Sequence, residues 1–201
     1  MKIVVYGATG MVGSKIVETA VARGHAVTAV SRKGTEVAGT TAIAADLADT
    51  ATVNALAADA DAIVFAIPTD RTGGPAQPTV DAHRAIIAAR PNARLLVVGG
   101  AGSLEVNGEL LVDAPGFPDE YKPESQAFTD ILADYRASEG LDWTLVSPSP
   151  VIAPGECSGY VIGTDSPVGG SVTTSDFADA IVDELESPSY KGRRFTVASK
   201  S

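Results

Sequence analysis

Three glycines at intervals of three residues follow directly on the first apolar run of the chain, in "VVYGATGMVG" (residues 4–13). The apolar run favours a buried strand, and the apolar residues after the glycines recur at helical spacing. Glycine at such a strand-to-helix turn permits a tight bend, a close approach of the backbone to a pyrophosphate, and close packing of the helix on the strand. The first N–H groups of the helix then attract phosphate oxygens. This turn predicts a dinucleotide site on a parallel sheet.

Strand-like and helix-like segments alternate along the rest of the chain. The strand-like runs are nearly continuous in apolar residues, as expected for a parallel sheet that is covered on both faces. No linker interrupts them, and a chain of 201 residues suits one domain better than two. We therefore predict a single doubly wound α/β domain of the Rossmann type over residues 1–201. The predicted strands are residues 2–7, 26–31, 41–46, 61–68, 93–100, 141–147 and 193–198, and the predicted helices lie near residues 12–21, 49–59, 78–90, 123–135 and 173–186.

The charge and cysteine content argue against several classes of protein. The chain carries 15 Lys and Arg residues against 25 Asp and Glu residues, a formal net charge of −10. Phosphate backbones and anionic bilayers repel such a chain, so we expect neither nucleic-acid nor membrane binding. A single cysteine, with no Cys/His cluster at metal-ligand spacing, predicts a metal-free protein in a reducing compartment. No signal peptide or membrane span is recognisable, which predicts a cytoplasmic location.

The turn after the second predicted strand bears on the choice of coenzyme. A protein that prefers NAD places an acidic residue there for the ribose 2′-hydroxyl, but this chain has "SRKG" (31–34). The planar guanidinium of Arg32, together with Ser31 or Lys33, suits a 2′-phosphate. The alternative is a solvated basic turn. We predict a preference for NADP(H), with NAD(H) also possible.

Several motifs resemble one known family. The GxxGxxG spacing is similar to that of the short-chain dehydrogenase/reductase superfamily, particularly its extended and atypical branches. Later segments resemble the atypical reductases described as NAD(P)H-binding, NmrA-like or NADH-flavin reductase-like, of which biliverdin reductase B is a more distant relative. The likeness covers nearly the whole chain and implies a Rossmann fold with a small carboxy-terminal region on the substrate side. The segments that carry it are "RLLVVGGAGSL" (94–104), "LDWTLVSPS" (141–149), "PGE" (154–156), "SDFADAIVDELE" (175–186) and "RRFTVA" (193–198).

Other coenzyme contacts follow from the glycine turn and from the ends of the later strands. Ligands in parallel sheets bind at the carboxyl ends of the strands, so residues at those ends are candidates. The resemblance adds that an acidic residue after the third strand faces the adenine, and that a proline after "LDWTLVS" lines the coenzyme pocket. The candidates are Gly7, Thr9, Gly10, Met11, Val12, Asp46, Leu47, Ala66, Ile67, Pro68, Gly99 and Pro148.

The chain lacks the tyrosine–lysine dyad of the main short-chain enzymes. Those enzymes place a lysine four residues after the tyrosine, one helical turn on, where its ammonium lowers the pKa of the phenol. Lys122 is adjacent to Tyr121, and adjacent residues do not share a helix face. The residues found four positions after the five tyrosines are Gly10, Ser125, Glu139, Thr164 and Arg194.

Two mechanisms remain without that dyad. In the preferred one, hydride passes from NADPH to a flavin, quinone or similar small-molecule acceptor that takes its proton from water. In the other, Ser103 or Tyr121 donates the proton without help from a lysine; the alternatives are a turn serine and a packing tyrosine. Both residues lie in a long Gly- and Pro-rich segment (100–122), which we predict to be a loop that forms a wall of the site.

The sequence thus predicts an NADP(H)-dependent oxidoreductase that acts as a monomer or homodimer. One alternative is a non-catalytic NADP(H)-binding sensor or regulator, which the NmrA-like resemblance permits. Another is a sugar-nucleotide epimerase or dehydratase, which the missing dyad makes less favourable.

Overall fold

The computed structural model describes residues 1–200, which form a central sheet with helices on both faces. The helices are α1 (Met11–Ala22), α2 (Thr50–Ala57), α3 (Gln77–Ala89), α4 (Lys122–Ala137) and α5 (Thr174–Glu186). The strands are β1 (Lys2–Tyr6), β2 (Ala26–Ser31), β3 (Thr40–Ala44), β4 (Ala62–Phe65), β5 (Arg94–Val98), β6 (Glu105–Val106), β7 (Glu109–Leu110), β8 (Trp143–Pro148), β9 (Val151–Ala153), β10 (Tyr160–Gly163), β11 (Ser171–Thr173) and β12 (Arg193–Ser199).

The central sheet has eight strands in the order β3-β2-β1-β4-β5-β8-β12-β10, and all neighbours are parallel except β12 and β10. Ile3 of β1 lies opposite Val27 of β2 on one side and Ala62 of β4 on the other. The chain builds outward from β1 through β2 to β3 and then crosses back to β4. Ligands of such sheets bind at the carboxyl ends of the strands where the order reverses. The predicted Rossmann-type architecture is confirmed, and its switch point lies between β1 and β4.

Alternation along β1 accounts for the two helical layers. Ile3 and Val5 pack in the layer that contains α1 and α5, whereas Val4 and Tyr6 pack in the layer that contains α2, α3 and α4. All four side chains are buried because the sheet is covered on each face. The longest helix, α4, has 16 residues, and none of the helices within residues 1–200 is long and apolar enough to cross a bilayer.

A row of ring side chains fills the layer beneath α3 and α4. It runs through Tyr6, Phe65, His83, Tyr135 and Trp143, with neighbouring ring centroids 5.5 to 5.8 Å apart. His83 Nδ1 and the Tyr135 hydroxyl share a hydrogen bond of 3.2 Å. Burial lowers the pKa of His83 to about 4 because the charged imidazole would lose its hydration. The imidazole is therefore a neutral part of the core at physiological pH.

Residues 100–122, predicted to be one long loop, contain more regular structure than the sequence indicated. The β6–β7 hairpin and three single 3₁₀ turns lie within this segment. Leu104 and Val112 bury their side chains and hold the turns against the rest of the protein. Each piece is too short for hydrophobic periodicity to reveal it, so the dense glycines and prolines dominated the pattern. The 3₁₀ turns are Ala101–Ser103, Leu111–Asp113 and Asp119–Tyr121.

Candidate functional site

The turn from β1 into α1 has no room for side chains at two of its glycines. Gly7 has a φ of +78°, and a Cβ added there would lie 2.3 Å from the carbonyl oxygen of Ala66. A Cβ added at Gly13 would lie 2.1 Å from the carbonyl oxygen of Gly7. The first contact brings the turn against the end of β4, and the second brings α1 against the turn. Bare backbone therefore lines the switch point of the sheet.

The amino end of α1 is suited to an anion. Among the described residues, no side chain caps this helix at Gly10, and its first turn contains no acidic residue. The carbonyl of Gly10 accepts the N–H of Ser14, whereas the first N–H groups of a helix, here at Met11 and Val12, have no acceptor within it. Thr9, Gly10 and Met11 are exposed. This arrangement fits the pyrophosphate of a dinucleotide.

Two exposed cations lie in the turn after β2, at the predicted 2′-phosphate site. The Ser31 hydroxyl accepts a backbone N–H from four residues later at 3.0 Å and closes the turn. Arg32 and Lys33 are exposed, and neither forms a salt bridge with another residue of the described chain. Hydrogen bonds from Thr72 lower the pKa of the nearby Asp70 carboxyl, and Arg32 contributes a smaller effect in the same direction. This turn has the charge that a 2′-phosphate requires.

Asp46 and Leu47, which follow β3, differ in what they offer a ligand. Asp46 is exposed, and its Oδ1 accepts the N–H of Ala48 at 2.9 Å. Leu47 is buried and packs in the layer of α2 and α3. Their contact with an adenine stays a prediction.

The ends of β4, β5 and β8 form a continuous edge next to the glycine turn. The N–H of Ala66 donates to the carbonyl of Tyr6 at 3.0 Å, and the N–H of Gly99 donates to the carbonyl of Val146 at 2.8 Å. Pro148 is buried at the end of β8. The structure therefore brings together Ala66, Gly99 and Pro148, with Ile67 and Pro68 continuing from Ala66.

Ser103, a predicted proton donor, is engaged within the protein. It is 2% exposed, and its hydroxyl donates to the carbonyl of Gly100 at 3.2 Å. The buried Arg194 donates from Nη1 to the Ser103 hydroxyl at 2.9 Å and to the Ser103 carbonyl at 2.6 Å. The same arginine also donates to the carboxylate of Asp165. Burial acts to raise the pKa of Asp165, but the hydrogen bonds from Arg194 and Arg136 hold that pKa below its usual range. To donate a proton to a substrate, the Ser103 hydroxyl would have to give up its hydrogen bond to the Gly100 carbonyl, and its role stays a prediction.

Tyr121, the other predicted donor, lies at the entrance to α4. Its side chain is 59% exposed. The ammonium of Lys122 pairs with Asp119 at 2.6 Å, within the same segment. Ser125, four residues after the tyrosine, is buried, and a Cβ at Gly102 would lie 2.4 Å from its Oγ. The position that carries lysine in the main short-chain enzymes therefore packs against the 101–103 turn.

A polar cluster beside Tyr121 ties the loop after β4 to the first turn of α4. Arg71 donates to Glu124 through Nε at 2.9 Å and through Nη2 at 2.6 Å. The hydroxyl of Thr69, a residue only 5% exposed, donates to the same carboxylate at 3.1 Å. The bond to Glu124 raises the pKa of Arg71. We call Thr69, Arg71 and Glu124 the loop clasp.

Sequence reasoning did not find the loop clasp or Arg194. Residues 69 and 71 stand more than 50 positions from residue 124 in the sequence, and no local pattern links them. Arg194 offered a signal, because an arginine inside an apolar strand needs a buried partner.

Within residues 1–200, no group of three or more His, Cys, Asp or Glu side chains is placed to hold a metal ion.

Comparisons with known proteins agree with this geometry. A family model described as NAD(P)H-binding matches residues 7–188. A proposed exported protein from Burkholderia pseudomallei is 36% identical, with a TM-score of 0.89 over 98% of this chain and 99% of its own. A proposed NADH-flavin reductase from Streptococcus pneumoniae TIGR4 is 31% identical, with a TM-score of 0.85 over the full length of both chains. A proposed epimerase from Bacteroides thetaiotaomicron is 31% identical, with a TM-score of 0.87 over 100% of this chain and 97% of its own.

The three similar structures carry different descriptions. One is described by its export, one by flavin reduction and one by epimerisation. The fold and the glycine turn are therefore compatible with more than one reaction. The cytoplasmic location expected from the sequence stays a prediction.

Proposed function

This chain belongs to the NAD(P)H-binding family, and from that membership we propose that it is an NADP(H)-dependent oxidoreductase that passes hydride to a flavin, a quinone or a similar conjugated acceptor. Dinucleotide binding is the property of the family. The preference for NADP(H) rests on Arg32 and Lys33, which are exposed beside the coenzyme edge. The choice of a flavin or quinone as acceptor rests on the absence of a tyrosine–lysine dyad. The resemblance to a proposed NADH-flavin reductase supports this choice.

The missing lysine is the observation that carries the proposal. Tyr121 has no ammonium one helical turn away, because Ser125 stands there and Lys122 pairs with Asp119. Reduction of a carbonyl to an alcohol requires a positioned proton donor. Reduction of a flavin or quinone does not, because the reduced acceptor takes its proton from water. The site therefore suits an acceptor whose protonation the protein need not control.

The residues of the carboxyl edge supply binding and orientation. The bound coenzyme supplies the hydride chemistry, in which its nicotinamide is oxidised and the acceptor is reduced by two electrons. The open N–H groups of α1 hold the pyrophosphate, and Arg32 holds the 2′-phosphate. Ala66, Gly99 and Pro148 would form the edge that holds the nicotinamide end. Holding donor and acceptor in contact is itself a large part of such catalysis.

An epimerase is a less favourable assignment, although one similar structure is described as a proposed epimerase. Sugar-nucleotide epimerisation through a nicotinamide requires reversible removal of a hydroxyl proton, for which a base with an adjusted pKa is needed. The chain has no YxxxK to provide that base. We therefore prefer acceptor reduction.

Steady-state oxidation of NADPH with FMN, FAD and simple quinones tests the reaction. We expect turnover with at least one of these acceptors, while aldehydes and ketones give none. Tight NADPH binding without turnover on any acceptor would contradict the proposed reaction. That result would support the non-catalytic sensor that the NmrA-like resemblance permits.

Arg32→Ala tests the choice of coenzyme. Loss of charge-assisted bonds to the 2′-phosphate should raise the dissociation constant for NADPH by about 10- to 100-fold, with little change for NADH. Both constants are measured by fluorescence titration. Lys2→Ala is the matched control. It removes an exposed cation at the amino end of β1, which is the end away from the glycine turn. An equal loss of affinity for NADPH and NADH would contradict the assignment of Arg32 to the 2′-phosphate.

A further inference from the structure

The loop that joins β4 to α3 crosses the carboxyl edge of the sheet. It has no regular secondary structure between Phe65 and Gln77. The helices that follow parallel strands begin at this edge, and so the first turn of α4 lies there as well. The loop clasp joins this loop to the first turn of α4.

The base of this loop lies against the glycine turn. A Cβ at Gly7 would lie 2.3 Å from the carbonyl oxygen of Ala66 and 3.2 Å from Cγ1 of Ile67. A loop anchored this closely to the glycine turn cannot shift at its base without moving a wall of the coenzyme site. Farther along the loop, the hydrogen bonds of Thr69 and Arg71 to Glu124 fix its position.

The loop clasp combines one buried contact with one that water can reach. Thr69 is 5% exposed, whereas the side chain of Arg71 is 65% exposed and that of Glu124 is 25% exposed. An ion pair with such an exposed partner is weak and is screened by salt. It can therefore open and close often, while the bidentate geometry gives a single closed position.

We propose that Glu124 is a positioning residue, which holds the 67–76 loop as a wall of the coenzyme site through Arg71 and Thr69. Coenzyme enters and leaves when this clasp opens. The inference rests on the coenzyme placement of the proposed function and is independent of which acceptor is reduced. Nothing in it requires Glu124 to touch the coenzyme.

Stopped-flow fluorescence of NADPH with Glu124→Gln tests the proposal. The amide keeps an acceptor for Thr69 but loses the charge that holds Arg71. We expect the association and dissociation rate constants to rise together by about three- to fivefold, as for the loss of one solvent-accessible ion pair. The equilibrium affinity and the unfolding midpoint should change little. A merely structural role for Glu124 would shift the midpoint and leave the two rates unchanged.

Asp119→Asn is the matched control. It removes an ion pair at the same end of α4, that with Lys122, without touching the loop. Its NADPH rate constants should equal those of the wild type. Added salt should bring the rate constants of the wild type and of Glu124→Gln closer together, because it screens the ion pair that only the wild type has.

Limited proteolysis follows the same opening without any coenzyme. Trypsin can cut after Arg71 only when that side chain leaves Glu124, so Glu124→Gln should be cut there about three- to fivefold faster. Unchanged cutting, or faster cutting with unchanged NADPH rates, would overturn the proposal. Failure of the wild type to bind NADPH would overturn the coenzyme placement together with it. Absence of turnover alone would count against the proposed reaction and leave this inference standing.

Discussion

Gly7→Ala is expected to weaken NADPH binding by about 100-fold, because it displaces N–H groups that would bind the pyrophosphate, and hydrogen bonds to charged groups contribute about 1.5–3 kcal/mol each. The added Cβ would lie 2.3 Å from the carbonyl oxygen of Ala66. Because that neighbour is backbone, the turn or the end of β4 must move, and the amino end of α1 moves with the turn. Fluorescence titration gives the affinity, and urea unfolding gives the accompanying loss of stability.

Gly24→Ala separates this close contact from backbone strain. Gly24 has a φ of +81°, nearly that of Gly7, but a Cβ added there would meet no atom within 4 Å. It should cost only the strain of a left-handed alanine, about 1–2 kcal/mol, and should leave NADPH binding unchanged. Normal binding by Gly7→Ala, or equal damage in the two variants, would show that the contact with Ala66 is not what matters.

Arg94→Met is expected to cause a large loss of stability. Arg94 is 7% exposed and donates to Glu184, itself 5% exposed, at 2.5 Å. It also donates to Asp142 and Thr144, each at 2.8 Å. Removing the cation leaves a buried carboxylate without its charge partner, which typically costs about 3–5 kcal/mol. The free energy of unfolding in urea measures the effect.

The same variant should keep its affinity for NADPH. Arg94 begins β5 and so lies at the amino edge of the sheet, away from the glycine turn. Lys2→Met is the control, because its ion pair with Asp59 is exposed on both sides and should contribute little. Replacing Arg94 and Glu184 together by apolar residues should recover part of the loss. If Arg94→Met were no less stable than Lys2→Met, the buried pair would not support the fold.

Local signals were enough to predict seven of the eight strands of the central sheet, and they missed only the antiparallel β10. Gly7, Gly10 and Gly13 lie within one turn, and the strands that carry the other candidates are continuous apolar runs. Because parallel strands bring their carboxyl ends to one edge, Ala66, Gly99 and Pro148 could be placed together without knowing any contact. The family match over residues 7–188 confirms the resemblance that these motifs predicted.

The loop clasp and the contacts of Ser103 were less predictable, because they join distant parts of the chain. Arg71 lies in a loop, and Glu124 reads as an ordinary acidic residue in the first turn of a helix. Ser103 was predicted from its place after β5, but its bonds to Arg194 depend on the packing of the last strand of the chain. Pairings of this kind appear only when the topology is known.

The crevice between β1 and β4 exists because the strand order reverses there, not because of any one side chain. The crevice is in this sense inherited with the topology, and a substitution in the glycine turn can weaken binding there while the strand order stays the same. Residues 67–76 and 100–122 carry no such constraint. A change in those two segments can therefore alter what lies beside the crevice and leave the strand order that forms it intact.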